Sequence, residues 1–290
     1  MLHHSGRLAF VGWLLIGTAA TAQVGPEIAY ATTAGGRPEI HLIDADGTGH
    51  SLLYRGGSRA EIFHVDIKPG GGQLAVEEHI RGNVRSPAIS AIKIIDYDAN
   101  GSIVGSVRTL QLNCLTGSLD YHPTDGTLLY RDCAIPARIQ RLDTTSMSSS
   151  DLGLAHSAFI AGWLDATHVL YYAHLQQKLW TVSTAALASP AEVLSLSFPG
   201  ALDTAASGDK GLWSDGTQIY LIDISAKQIS PFQTPGQRGH FSPDDQDVVY
   251  ITGDSVGKNG QFVIIRRTDG SGAPTNLAGR GSFTAVDWRN

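Results

Sequence analysis

Short apolar runs rich in Ile, Val, Leu, Tyr and Phe recur along almost the whole chain, separated by Gly, Asp and Pro, and none has helical periodicity. The clearest unit is Gly239-His240-Phe241-Ser242-Pro243-Asp244-Asp245, followed by Val248-Val249-Tyr250-Ile251 and by Phe262-Val263-Ile264-Ile265 with the turn Asp269-Gly270. It reads as a strand, a Pro/Asp turn, a second strand, and a third strand running into an Asp turn. Similar units begin near Glu61, Leu115, Ser157 and Gly200. The unit from Glu27 to Gly56 lacks the first strand. Phe283-Thr284-Ala285-Val286-Asp287-Trp288 matches that missing strand and is followed by no further one. Placed beside the Glu27 unit, it completes six modules and closes them into a ring. The predicted fold is all-β: a six-bladed β-propeller in which the C-terminal strand pairs with the N-terminal blade.

Residues 1–22 read as a secretory signal, with Arg7 as the basic end, Leu8 to Ile16 as the apolar core and Ala20-Thr21-Ala22 as the cleavage site. Residues 23–290 then form one domain, since no Pro- or Ser-rich linker divides them. No other apolar stretch is long enough for a transmembrane helix, so no membrane anchor is expected after cleavage. The chain carries 21 Lys+Arg against 27 Asp+Glu, a net charge of −6, and loss of Arg7 with the signal makes it more acidic still. That balance argues against nucleic acid as a partner. Cys114 and Cys133 flank a predicted hairpin at His122-Pro123-Thr124-Asp125. If Tyr121 faces Gly126, the same register sets the cysteines opposite each other, as a disulfide or as two buried thiols.

Alignment of the first strands on Pro69, Pro123, Pro243 and Asn290 brings Asp66, Asp120, His240 and Asp287 to one equivalent position. Alternation along a strand puts these on one face, lining the channel of a propeller. One reading makes them a mainly acidic ring that holds a cation or a basic peptide. The other has each Asp accept hydrogen bonds from the neighbouring blade, and it is preferred because repeated positions usually serve repeated packing. The run Asp96-Tyr97-Asp98-Ala99-Asn100-Gly101 resembles the front of a calcium loop, but its twelfth position is Val107 rather than Glu, so a turn is the better reading. The 11 histidines form no tight ligand motif. No Gly-x-Ser-x-Gly elbow or phosphate loop occurs. The longest excursion, Glu77 to Pro87, separates the second and third strands of its unit and offers Glu78, Arg81 and Arg85 as contact residues. A second excursion, 252–260, leaves from the same end.

The motifs Phe241-Ser242-Pro243-Asp244, Tyr121-His122-Pro123-Thr124-Asp125-Gly126, Ile67-Lys68-Pro69-Gly70-Gly71 and Asp287-Trp288-Arg289 resemble those of TolB-like six-bladed propellers with WD40-like repeats. The resemblance spans nearly all of residues 23–290. It is to the propeller alone, since only Gln23 to Glu27 precede the first strand, where TolB itself has an α/β domain. It implies a periplasmic or secreted, non-catalytic monomer that binds protein or peptide partners in the cell envelope through loops at one end of the channel. No cofactor is expected. The alternative is a metal-dependent lyase or hydrolase acting on a carbohydrate or lactone, with His64, His240 and ring aspartates converging on one divalent cation.

When the full chain is expressed in a bacterial host, the exported protein is expected to begin at Gln23, as read from its intact mass. Retention of residues 1–22 on a cytoplasmic product would remove the secretory reading.

Overall fold

In this computed structural model the described residues are 27–34, 36–82, 89–112, 114, 117–253 and 260–289. The expected signal segment, 1–22, lies outside them. Among the described residues every regular element is a strand. They fall in chain order as β1 Glu27–Ala34, β2 Arg37–Asp44 and β3 Ser51–Arg55; β4 Ala60–Ile67, β5 Gln73–Ile80, β6 Ile89–Asp96 and β7 Arg108–Leu112; β8 Leu119–Tyr121, β9 Thr127–Arg131, β10 Ile139–Asp143 and β11 Ser148–Asp151. The second half continues with β12 Ile160–Trp163, β13 His168–Ala173, β14 Lys178–Ser183 and β15 Ala191–Ser195; β16 Ala201–Thr204, β17 Lys210–Ser214, β18 Ile219–Asp223 and β19 Gln228–Gln233; β20 Gln237–Phe241, β21 Asp247–Gly253, β22 Gln261–Arg267 and β23 Thr275–Gly281; and β24 Phe283–Arg289.

These strands make six four-stranded antiparallel sheets. The innermost strands touch in a closed circle: β24 meets β4, β4 meets β8, and so on through β12, β16 and β20 back to β24. The fold is a six-bladed β-propeller. Blade 1 is completed from both ends of the chain, with Ile28 opposite Trp288 and Tyr30 opposite Val286. Among the described residues no helix is long and apolar enough to cross a membrane.

The core consists of six hydrophobic clusters, one between each pair of neighbouring blades. Strand alternation explains this distribution. Leu74 and Val76 of β5 pack toward blade 1, whereas Ala75 between them packs toward blade 3. A blade is thus apolar on both faces, and its strands read as short continuous runs rather than clean alternation.

Cys114 and Cys133 form a disulfide with Cα atoms 5.7 Å apart. The hairpin register differs from the expected one. Tyr121 pairs with Leu128, not Gly126, because His122 N–H bonds to Thr127 O and lengthens the turn. Cys133 therefore lies beyond the end of β9, and the bridge joins the approach to β8 with the exit from β9. The excursion of blade 2 is also shorter than expected. β5 runs through Glu77, Glu78 and His79 to Ile80, so Glu78 is a buried strand residue and not a loop contact. Its carboxylate pairs with Lys93, which also reaches Tyr54 Oη, and it accepts from Gly57 N–H at 3.3 Å. Such pairing makes burial of a polar run tolerable.

Trp288 is 5 % exposed in the cluster between blades 6 and 1. Trp288→Ala is expected to lower unfolding stability by about 3–5 kcal/mol in urea titrations. Leu52→Ala, at a side chain 44 % exposed on outer strand β3, should change it by roughly 0.5 kcal/mol or less. Equal effects would mean that the seam closed by β24 is no tighter than the surface.

Candidate functional site

The innermost strands all run in one direction around the channel, giving it two distinct mouths. At the mouth where they end, Pro69, Pro123 and Pro243 with Trp163, Phe241 and Trp288 line a cavity of about 230 Å³. Its polar groups are committed to local structure: Ser242 Oγ donates to Asp244 at 2.7 Å, Thr204 Oγ1 donates to Trp163 O, and Asp165 accepts from the N–H groups of Thr167 and His168. At the mouth where the strands begin, the cavity is about 370 Å³ and is lined by Phe63, His64, His79, Phe159, Asp215 and Arg238 among others. The ends of β5, β9, β13, β17 and β21 lie beside these strand starts.

Between the mouths lies the predicted polar ring. Asp287 accepts from Ile67 N–H at 2.6 Å, Asp66 from Tyr121 N–H, Asp120 from Trp163 N–H, and Asp203 from Phe241 N–H at 2.8 Å. Each carboxylate thus holds the backbone of the next blade one residue beyond that blade's own ring position. Asp203 is the ring member that alignment on proline misses, since Ala206 stands where blades 2, 3 and 6 have Pro69, Pro123 and Pro243. Blade 4 has Gly162 at this position, and Thr204 Oγ1 spans its junction with blade 5 by donating to Trp163 O. His240 occupies the sixth position, its Nδ1 3.0 Å from Asp287 Oδ1 and 3.4 Å from Asp203 Oδ1. Burial alone would lower its pKa, but the two carboxylates outweigh burial and raise it to about 10. His240 is therefore an imidazolium at neutral pH.

A second network crosses the larger mouth. Arg238 Nη1 donates to His64 Nε2 at 2.9 Å. Arginine has no acceptor, so His64 carries its proton on Nδ1 and donates it to Glu77 Oε2. His79 Nε2 donates to Glu77 Oε1 at 2.6 Å, and its ring stacks on Phe63 with centroids 4.0 Å apart. Burial lowers the His64 pKa, more than Glu77 raises it, which keeps the imidazole neutral. Arg238 itself sits in the left-handed region at φ 55°, within a register shift of β20. A non-glycine residue held there costs about 1 kcal/mol or more and persists where surrounding contacts enforce it. Here Arg238 N–H bonds to Ser214 Oγ at 3.3 Å.

His240 thus sits against the ring aspartates Asp203 and Asp287, whereas His64 pairs with Glu77 and Arg238, so the two imidazoles do not converge with the ring aspartates on one point. Among the described residues, no group of three or more His, Cys, Asp or Glu has the geometry to hold a metal ion. Asp98 binds the N–H groups of Asn100 and Ser102 at 2.9 Å, closing its own turn. Of the contact-loop candidates, Arg81 is exposed and pairs with Glu61, whereas Arg85 lies outside the described residues. Apolar groups collect at the same mouth in blades 3 and 4. Ile135 is fully exposed, Leu175 is 78 % exposed and Phe159 39 %. The Arg131 guanidinium covers Phe159 at 4.6 Å, and His174 lies 5.8 Å from the same ring.

No protein-family model matches this sequence, and no curated protein matches it. Solved structures do share its fold. TolB from Acinetobacter baumannii superposes with a TM-score of 0.72 at 18 % identity, over 92 % of this chain and 67 % of that one. A chain from the nidogen/laminin complex gives 0.64 at 12 % identity, over 92 % and 99 %. A puromycin-hydrolyzing peptidase of Mycobacterium tuberculosis gives 0.50 at 14 % identity, over 89 % of this chain and 54 % of that one. At such identities the likeness is one of architecture: a TolB-like six-bladed propeller.

The His240 pKa is raised on folding, so its contribution to stability is complete below the ordinary value of 6.5 and is lost as pH rises toward about 10. The stability difference between the wild type and His240→Gln is expected to shrink steadily across that window in denaturation series. A difference that stays constant with pH would mean that His240 is not charged between Asp203 and Asp287.

Proposed function

We propose that this protein is a non-catalytic propeller that binds a protein or peptide partner at the mouth where the innermost strands begin. The observation that carries this reading is the coincidence, at one end, of the larger cavity with the exposed Ile135, Phe159 and Leu175. Large exposed apolar side chains gathered on one face favour a partner surface. Rigid blades carrying loops suit such recognition, because the scaffold fixes where the loops stand. One fold relative belongs to a complex of nidogen with laminin, and TolB is the relative of highest score among those named above. Both likenesses are compatible with a binding role for the shared architecture. We further propose that the protein acts as a monomer in the periplasm or outside the cell, after removal of residues 1–22, and that its partner belongs to the envelope.

Photo-crosslinking residues placed at Ile135 and, as a control, at Val104 of the β6–β7 connection test the choice of mouth. The site at Ile135 is expected to yield a specific adduct that Phe159→Ala and Leu175→Asp abolish without a change in melting temperature. Adducts formed equally from Val104, or insensitive to both substitutions, would overturn the assignment.

A further inference from the structure

A half-buried guanidinium with donors left over is a ready partner for an anion. Arg238 is half-buried at the larger mouth, yet among the described residues its side chain has a neutral imidazole, His64, as its hydrogen-bond partner and no carboxylate within ion-pair distance. Glu77 stands behind that imidazole, bonded to His64 and His79, and attracts the Arg238 charge from there without an ion-pair contact. The other carboxylate beside the cavity, Asp215, accepts from Thr217 and Gln218 N–H, each at 2.8 Å. The guanidinium is also held in place. Its backbone is fixed in the left-handed conformation by the shift in β20 and by Ser214, and one of its five N–H donors is anchored on His64. Arg238 lines a cavity that also has Phe63, Phe159 and Ile160 in its lining.

We propose that this cavity captures a carboxylate carried next to an apolar group, with the carboxylate on Arg238 and the apolar group against Phe63 and Phe159. A planar fork matches a carboxylate in two parallel hydrogen bonds. The lining contains no lysine and no second arginine, which suits a monoanion better than a phosphate dianion. The volume of about 370 Å³ accommodates a short peptide segment. An acidic side chain and a chain terminus present the same chemistry. The proposal rests on this mouth being the binding face.

Three N-acetylated tetrapeptides are the probes. One carries glutamate between two phenylalanines and ends in an amide, the second has glutamine in its place, and the third is the glutamine peptide with a free terminal carboxylate. Binding is followed by arginine side-chain NMR and by aromatic resonances of Phe63 and Phe159. The expected result is that at least one acidic peptide shifts the Arg238 Nε–H and binds about tenfold or more tighter than the neutral one. The better of the two acidic peptides identifies the source of the carboxylate. Arg238→Gln should reduce it to the neutral level with an unchanged melting temperature, and Arg238→Lys, which keeps the charge but not the fork, should fall between. If the neutral peptide binds equally and shifts Phe159 without Arg238, carboxylate capture is overturned while the binding face stands. If no peptide shifts Arg238 or Phe159, capture is overturned, and the crosslinks from Ile135 then decide the face independently.

Discussion

The structure depends on one repeated contact, a carboxylate of one blade accepting the backbone N–H of the next. The innermost strand of each blade has a sheet partner on one side only, so its other edge turns unpaired N–H groups toward the crowded centre. Left unmet there, each would cost as much as a lost hydrogen bond. Asp287, Asp66, Asp120 and Asp203 meet four of them at Ile67, Tyr121, Trp163 and Phe241. The solution creates its own difficulty, since it gathers acids around one axis. His240 answers it by supplying a cation between Asp203 and Asp287, and its raised pKa is the measure of that role.

Once the ring residues are assigned to holding blades together, the channel's middle has little left to offer a ligand, and recognition shifts to the ends. The two ends differ for a reason that begins in the turns. At the ends of the innermost strands, Pro69, Pro123 and Pro243 stand in short turns that are closed by their own hydrogen bonds. At their beginnings, the connections enter from outer strands and from the second strands, so side chains of several blades meet without a shared local motif. Arg238 and His64, in blades 6 and 2, illustrate the result.

That difference also sets what could be read from the sequence. Blade boundaries and the positions Asp66, Asp120 and His240 were legible because a Pro turn with fixed chemistry follows each of them, and closure by Phe283–Trp288 with Asp287 was legible because that strand matches the one the first unit lacks. Asp203 escaped because its turn has Ala206 in place of proline, and Gly162 because it has no side chain to mark the position. Glu77, Glu78 and His79 looked like a loop since three polar residues in a row rarely occupy a buried strand. Their partners, His64 and Lys93, lie on neighbouring strands, where a linear pattern carries no signal. The Arg238–His64 contact joins residues 174 positions apart and is visible only once the ring is closed.

The pairing of β1 with β24 also has a temporal side. The strand that covers the inner edge of the first blade is synthesised after blades 2 to 6, so Ile28 waits for Trp288 while the intervening blades emerge. For that interval β1 presents an open, apolar edge of the kind that recruits other chains. Contacts of such long range also form slowly. Until β24 arrives the nascent chain is therefore open to misassembly at β1, and a holdase that shields β1 would act in that interval.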